Sequence, residues 1–215
     1  MATSILPRNK RAIIFDLFGT LTNGQADPDQ RIIDEWNLQV DYDTSAKYVC
    51  TTIWKSEEQY HNEIISGLNL PNTEDTREKL KEIFRRDLEG EYLEKEVPSL
   101  LEKLSYRYKL GVISDIPNPD YNLLGRHNLE GFFSARVFSY EEGLLKPDKK
   151  IMDLMLDRLG LRGENVIMIG DSVHSDYGLA QNSGVDFILM DKKGKNPNFS
   201  GERVKTLEEL EKYFF

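Results

Sequence analysis

Asp16 closes the apolar run Ala12-Ile-Ile-Phe15 and is followed by Gly19-Thr20. A carboxylate at the C-terminal end of a buried strand in an open α/β sheet lies in the crevice where such folds bind ligands, placed to act as a nucleophile. Gly19 lets the chain leave the strand sharply, freeing backbone amides to face an anion, and Thr20 suits a turn fixed by local hydrogen bonding. Taken alone, an Asp after a strand is more often a helix cap or turn residue. Asp171 follows a second apolar run, Val166-Ile-Met-Ile-Gly170, and Asp176 comes five residues later. Two hard carboxylate oxygens in one loop suit Mg²⁺, although the same pair reads as a turn residue and a helix cap. Lys146 stands in Gly143-Leu-Leu-Lys-Pro147, where a lone lysine is usually a solvated surface charge. Ser114, after Leu110-Gly-Val-Ile113, offers a hydroxyl to a phosphoryl oxygen or closes a local turn.

The elements that must position these side chains are short apolar runs. Ala12 to Asp16, Leu110 to Asp115, Ala135 to Ser139, Val166 to Gly170 and Asp186 to Met190 are too short for helices and are bounded by turn residues, which predicts buried strands. Helical patterns separate most of them, the grammar of a parallel sheet with right-handed crossovers. In the clearest connection, Pro147-Asp148 opens a helix, Ile151, Leu154, Met155 and Leu159 recur at helical spacing, and Gly160 closes it. Between Asn23 and about Gly90 no comparable strand appears, and the block predicts a helical insertion with helices at Asp29 to Trp36, Thr44 to about Ser66, and Thr73 to Leu88. Its aromatics, Trp36, Tyr48, Trp54 and Tyr60, are expected to form the insertion's own core.

At 215 residues, the chain has room for one core domain plus a modest insertion. With 39% hydrophobic and 30% charged residues it has a soluble globular composition, and a formal charge of −9 argues against a nucleic-acid partner. Cys50 is the single cysteine, so an intrachain disulfide and a multi-thiolate metal site are excluded, which fits a reducing compartment. The segment Met1 to Pro7 lacks a long apolar core, and no stretch approaches the roughly 18 apolar residues of a spanning helix, so a cytoplasmic protein without membrane partners is expected.

Asp16, Ser114, Lys146 and the Asp171/Asp176 pair, in chain order at the ends of different strands, resemble the motifs of the haloacid dehalogenase superfamily. Those motifs are a nucleophilic Asp in D-x-D-G-T-[LV], a Ser or Thr, a Lys often followed by Pro, and an acidic G-D-x₃₋₄-D loop. The resemblance runs from the first strand to about Gly184. It implies a Rossmann-like three-layer α/β core made of residues 1–22 and 91–215, with residues 23–90 as a helical C1 cap. It also implies that Asp16 attacks phosphorus or carbon, that Lys146 neutralises Asp16 and the transferring group, and that Ser114 orients that group, with Gly19, Thr20 and Asp115 binding substrate. Mg²⁺ would be held by Asp16, Asp171, Asp176 and the backbone carbonyl of Phe18. The partner implied is a small-molecule substrate, acted on by a monomer or homodimer.

Phe18 departs from the pattern, because family phosphatases carry a second Asp there as general acid and base. An aromatic residue at that position resembles the 2-haloacid dehalogenases, whose halide leaving group needs no proton. Gly170-Asp171-Ser172 resembles the phosphatases instead, and Ser114 is followed by Asp115 where the dehalogenases usually carry Asn. Three readings follow: a Mg²⁺-dependent phosphohydrolase whose leaving group is intrinsically good or is protonated from the cap, Asp115 or His174; a dehalogenase-like hydrolase; or a weakly active scaffold that binds a phosphorylated ligand or a partner protein. A receiver domain also combines Asp, Ser/Thr and Lys, but Gly19-Thr20 and the insertion argue against it. His61 and His174 read as ordinary solvent-facing helical histidines.

Overall fold

The computed structural model describes residues 9–24 and 26–215; the segment Met1 to Pro7 lies outside them. Six parallel strands form one sheet in the order β3-β2-β1-β4-β5-β6, with β1 at Ala12–Phe15, β2 at Lys109–Ser114, β3 at Ala135–Phe138, β4 at Val166–Gly170, β5 at Asp186–Met190 and β6 at Glu202–Val204. The strand order reverses between β1 and β4, and such a switch point opens a crevice at the C-terminal ends of the two strands. β6 is not among the expected strands, because Glu202-Arg203-Val204 offers one apolar side chain and lies at the sheet's edge.

Side chains alternate across the sheet, so both faces need cover. Ala12 and Ile14 pack with Ile151, Met155 and Leu159 of α8 (Lys149–Leu159) and with Leu179 and Ala180 of α9 (Gly178–Ser183). Ile13 and Phe15 face the other layer, with Leu100 and Leu104 of α5 (Val97–Ser105) and Leu207, Leu210 and Phe214 of α10 (Leu207–Phe214). A short helix, α6 (Leu123–Arg126), lies between β2 and β3 in the chain, and another, α7 (Ser139–Glu142), packs beside β3. As expected, Asp148 caps α8 and Gly160 ends it in the left-handed region at φ 64°.

Between β1 and α5 come α1 (Pro28–Glu35), α2 (Tyr42–Val49), α3 (Glu57–Gly67) and α4 (Glu74–Leu88). The chain leaves and rejoins the core at the antiparallel bridge between Thr22 and Leu93. Asp27, Asp41, Ser56 and Thr73 each accept a backbone N–H in the first turn of their helix, so local capping chemistry sets all four starts. The single helix expected from Thr44 to Ser66 is two. The hydroxyls of Thr51 and Thr52 donate to the carbonyls of Lys47 and Tyr48, ending α2, and Ser56 then starts α3. Among the described residues, no helix is long and apolar enough to cross a membrane.

Candidate functional site

Asp16 lies one residue past β1, Ser114 ends β2 and Asp171 lies one residue past β4, so three neighbouring strands deliver side chains to the crevice at the switch point. Lys146 comes from the loop before α8. Its ammonium donates to Asp16 Oδ1 at 2.6 Å and to Asp176 Oδ1 at 2.7 Å. Far from being a solvated surface charge, Lys146 is 8% exposed. Ser114 Oγ stands 3.4 Å from Asp16 Oδ1, and Thr20 Oγ1 donates to Asp16 Oδ2 at 3.1 Å. Thr20 therefore holds the carboxylate rather than the turn.

The turn is fixed by Thr22, whose hydroxyl accepts from the Gly19 N–H at 3.0 Å and donates to the Gly24 carbonyl at 2.8 Å. The Gly19 amide expected to face an anion is thus engaged within its own loop. Gly19 serves another purpose: at φ +80°, a Cβ there would stand 2.3 Å from Asp171 Oδ2, so the absent side chain is what lets the acidic loop approach. Gly170 does the same on β4, where a Cβ would meet Asp176 Cγ at 2.4 Å.

Asp176 is 1% exposed and lies within the π-helical turn Val173–Tyr177. It is not a helix cap; Ser172 takes that role by accepting from Ser175 N at 3.1 Å, while Asp176 Oδ2 accepts from Ser172 N at 3.0 Å. Asp16, Asp171 and Asp176 each present an oxygen within 4.8 Å of the other two. Three hard anionic oxygens this close fit a small divalent cation such as Mg²⁺.

Burial pushes the Asp16 carboxyl up to about 6, against the lowering effect of Lys146. Burial also works to lower the Lys146 ammonium, but the carboxylates of Asp16, Asp176 and Asp115 outweigh it and hold its pKa well above the ordinary value. Asp115 accepts from the Lys146 backbone N–H at 3.2 Å, and burial lifts its carboxyl to about 7. These groups share a cavity of about 350 Å³, which the insertion closes with Asp27, Tyr42, Ala46 and Cys50. Asp27 and Asp43 carry only a helix-start signal in the sequence, so their place on the cavity wall is not legible there. A larger cleft of about 810 Å³, walled by Trp54, His61, Phe84 and Tyr121, holds none of the crevice side chains.

Phe18 borders the cavity with its ring against Tyr121, centroids 5.9 Å apart. The two histidines part company. His174 is exposed but faces Asp43 of α2 at 3.6 Å across the cavity mouth. His61 is not solvent-facing: it is 2% exposed and stacks parallel on Phe84 at 6.2 Å. Tyr60 is buried in the insertion's core as expected, with Trp54 5.2 Å away.

Glyceraldehyde 3-phosphate phosphatase of Methanothermobacter thermautotrophicus is 33% identical over 96 residues, 44% of this chain and 42% of that protein. The pyrimidine 5'-nucleotidase YjjG of Escherichia coli is 34% identical over 120 residues, 52% of this chain and 53% of that protein. The chain thus spans about half the length of these curated relatives. Among solved structures, a 2-haloacid dehalogenase from Pseudomonas syringae pv. Tomato DC3000 superposes with a TM-score of 0.65 at 20% identity, covering 94% of this chain and 96% of that one, a likeness of fold. A family model described as haloacid dehalogenase-like hydrolase matches residues 10–184, a stretch that contains every side chain of the crevice. By that match, the chain belongs to the haloacid dehalogenase-like hydrolases.

Proposed function

We propose that this hydrolase is a Mg²⁺-dependent phosphatase of a small phosphorylated metabolite, acting through an aspartyl-phosphate on Asp16. The observation that carries the reading is the meeting of Asp16, Lys146 and Asp176 beside Asp171, with three carboxylate oxygens within 4.8 Å. Phosphatase-named relatives support phosphorus over carbon as the atom attacked, and a cavity of about 350 Å³ suits a small substrate.

In this reading, Asp16 attacks phosphorus while Thr20 and Lys146 fix the orientation of its carboxylate. Lys146 and the Ser114 hydroxyl hold the transferring oxygens as negative charge builds on them. Mg²⁺ bound by Asp16, Asp171, Asp176 and the Phe18 carbonyl would screen the repulsion between two anions. Residues 23–90 serve as the cap that shuts the cavity and contacts the leaving group, over a core of residues 1–22 and 91–215.

The phosphatase reading is tested by a panel of aryl phosphate, acetyl phosphate, a nucleotide, a sugar phosphate and a 2-haloacid, each with Mg²⁺ and with chelator. The expected result is phosphate release that chelator stops. Halide release that persists in chelator would replace it with the dehalogenase reading, which Phe18 favours.

A further inference from the structure

Phe18 occupies the position where a phosphatase of this family needs a proton donor, and a phenyl ring packed on Tyr121 supplies none. The cavity walls narrow the substitutes. Asp27 caps α1, accepting from Gln30 N at 3.1 Å, and its charged neighbours are Asp87, Arg31 and Asp34 of the insertion, not the groups that hold Asp16. Asp43 and His174 stand at the mouth, 73% and 72% exposed. Tyr42 is 48% exposed, and Cys50 holds its proton more tightly than usual, chiefly through burial.

Asp115 remains, and its placement is specific. The β1–β2 register sets Phe15 opposite Val112, so Asp16 is level with Ile113 and Asp115 lies two residues further out into the crevice. Two residues of extended chain span roughly 7 Å. Attack at about 3 Å followed by one P–O bond puts the leaving oxygen roughly 5 Å outward from the Asp16 carboxylate, within this reach. The Asp115 side chain is itself tied to the site: its Oδ1 accepts from the backbone N–H of Lys146, the residue whose ammonium holds Asp16. Its neighbour Ser114 stands 3.4 Å from Asp16.

We propose that Asp115 is the general acid and base of this enzyme, replacing in space the carboxyl that Phe18 removes. In the first half-reaction an Asp16 oxygen bonds to phosphorus and the P–O bond to the leaving group breaks. The electron pair goes to the leaving oxygen, which takes the Asp115 proton and departs as the alcohol. In the second, the Asp115 carboxylate removes a proton from water as that water bonds to phosphorus. The bond from Asp16 to phosphorus breaks with its electrons returning to the Asp16 carboxylate, so inorganic phosphate leaves and Asp115 is protonated again. Burial, which lifts its carboxyl to about 7, allows both states near neutral pH. The groups that face it are Lys146, Asp176 and Asp16 from the core, Tyr42 from α2 and Cys50 just past its end.

The proposal rests on the phosphatase reading, and Asp115→Asn separates the two. The amide still accepts from the Lys146 N–H but donates no acidic proton. With Mg²⁺ present, kcat/KM for an alkyl phosphate should fall by roughly 10²–10⁴-fold while that for p-nitrophenyl phosphate falls by less than about tenfold. Equal losses on both substrates, or none on either, would overturn the role of Asp115 and leave the phosphatase standing. Should the variant fail to fold, the native enzyme decides: alkyl turnover should decline at higher pH, as the Asp115 carboxyl loses its proton, while aryl turnover does not. Parallel pH profiles would refute the acid, and absence of phosphate release from either substrate would sink both proposals.

Discussion

In the crevice at the C-terminal ends of the central strands, the buried carboxylates of Asp16 and Asp176 share the Lys146 ammonium at 2.6 and 2.7 Å. In the insertion, Asp29 of α1 is just as buried, 1% exposed, yet no cation among the described residues pairs with it: the Cys50 thiol stands at 3.6 Å with the Ser45 hydroxyl nearby, and its Oδ1 has no hydrogen-bond partner among those residues. Burying a charge costs several kcal/mol unless a partner offsets it. The core arranges that partner for the groups proposed to react. The insertion buries Asp29 because α1 and α2 must pack, and its chemistry gains nothing visible from it. The two regions thus separate charge held for reaction from charge trapped by packing.

The largest effect expected is at Asp16. Asp16→Asn should lower turnover by about 10⁴-fold or more while the fold survives, because the amide oxygen still accepts from Lys146 and the amide NH2 can donate to the Thr20 hydroxyl, but the amide is no nucleophile. A purified variant that keeps its circular dichroism and its activity would break the claim that the core charge is reactive.

The acidic loop comes next. Asp171→Asn should raise the Mg²⁺ concentration for half-activity by about 10–100-fold, the scale seen when support to a metal site is removed. Asp176→Asn should do the same and also lower the melting temperature without metal, since Asp176 also accepts from Lys146 and the Ser172 N–H. If only the metal dependence of Asp176→Asn changes, its two roles are not joined as the geometry implies.

The same division explains what the sequence could disclose. The meeting of Asp16, Ser114, Lys146, Asp171 and Asp176 was legible because side-chain types able to do chemistry stand at or after short apolar runs, and such runs mark strands. Thr22 was not, because its hydroxyl shapes the Gly19 loop through contacts any polar turn residue offers. Asp27, the cap of α1, and Asp43, in the first turn of α2, look like helix-start residues, which they are; only the packing of α1 and α2 turns them toward the cavity. The break at Thr51-Thr52 was hidden because side-chain to backbone competition decided it locally. His61 was misplaced because burial between α3 and α4 depends on a tertiary neighbour, Phe84.

A smaller, opposite effect is expected at Asp29. Burial raises its carboxyl from 3.8 to about 7. The folded state therefore holds this proton more tightly than the unfolded one, so the favourable contribution is complete below about pH 4 and is lost as pH rises through about 7. Asp29→Asn removes that penalty and should stabilise the protein by on the order of 2–4 kcal/mol at pH 8, with the gain vanishing near pH 4. Denaturant melts of both proteins at the two pH values measure it. A variant destabilised at pH 8 would show that the Asp29 charge has a role in the insertion after all.

The smallest effect tests whether the two regions are as separable as this comparison makes them. Tyr121, fully buried in the core, donates its hydroxyl to Asp87 Oδ2 of α4 at 3.1 Å, and Asp87 also accepts from Arg31 and from the Asp27 N–H. The Tyr121 ring touches Phe18 on one side and Phe84 on the other, centroids 5.9 and 6.3 Å apart, so it stands between the reactive loop and the insertion. Tyr121→Phe keeps both ring contacts and deletes the hydroxyl, leaving Asp87 its other two donors. The expected loss is about 1–2 kcal/mol of stability, the scale of one buried hydrogen bond to a charged group. If reaction lives in the core, kcat for an aryl phosphate should stay within about threefold of the native value, any change falling on KM as the insertion docks less firmly. A fall in kcat beyond about tenfold, with KM unchanged, would mean that α4 acts on the reacting groups through Tyr121 and Phe18, and the boundary between the regions would have to be redrawn there.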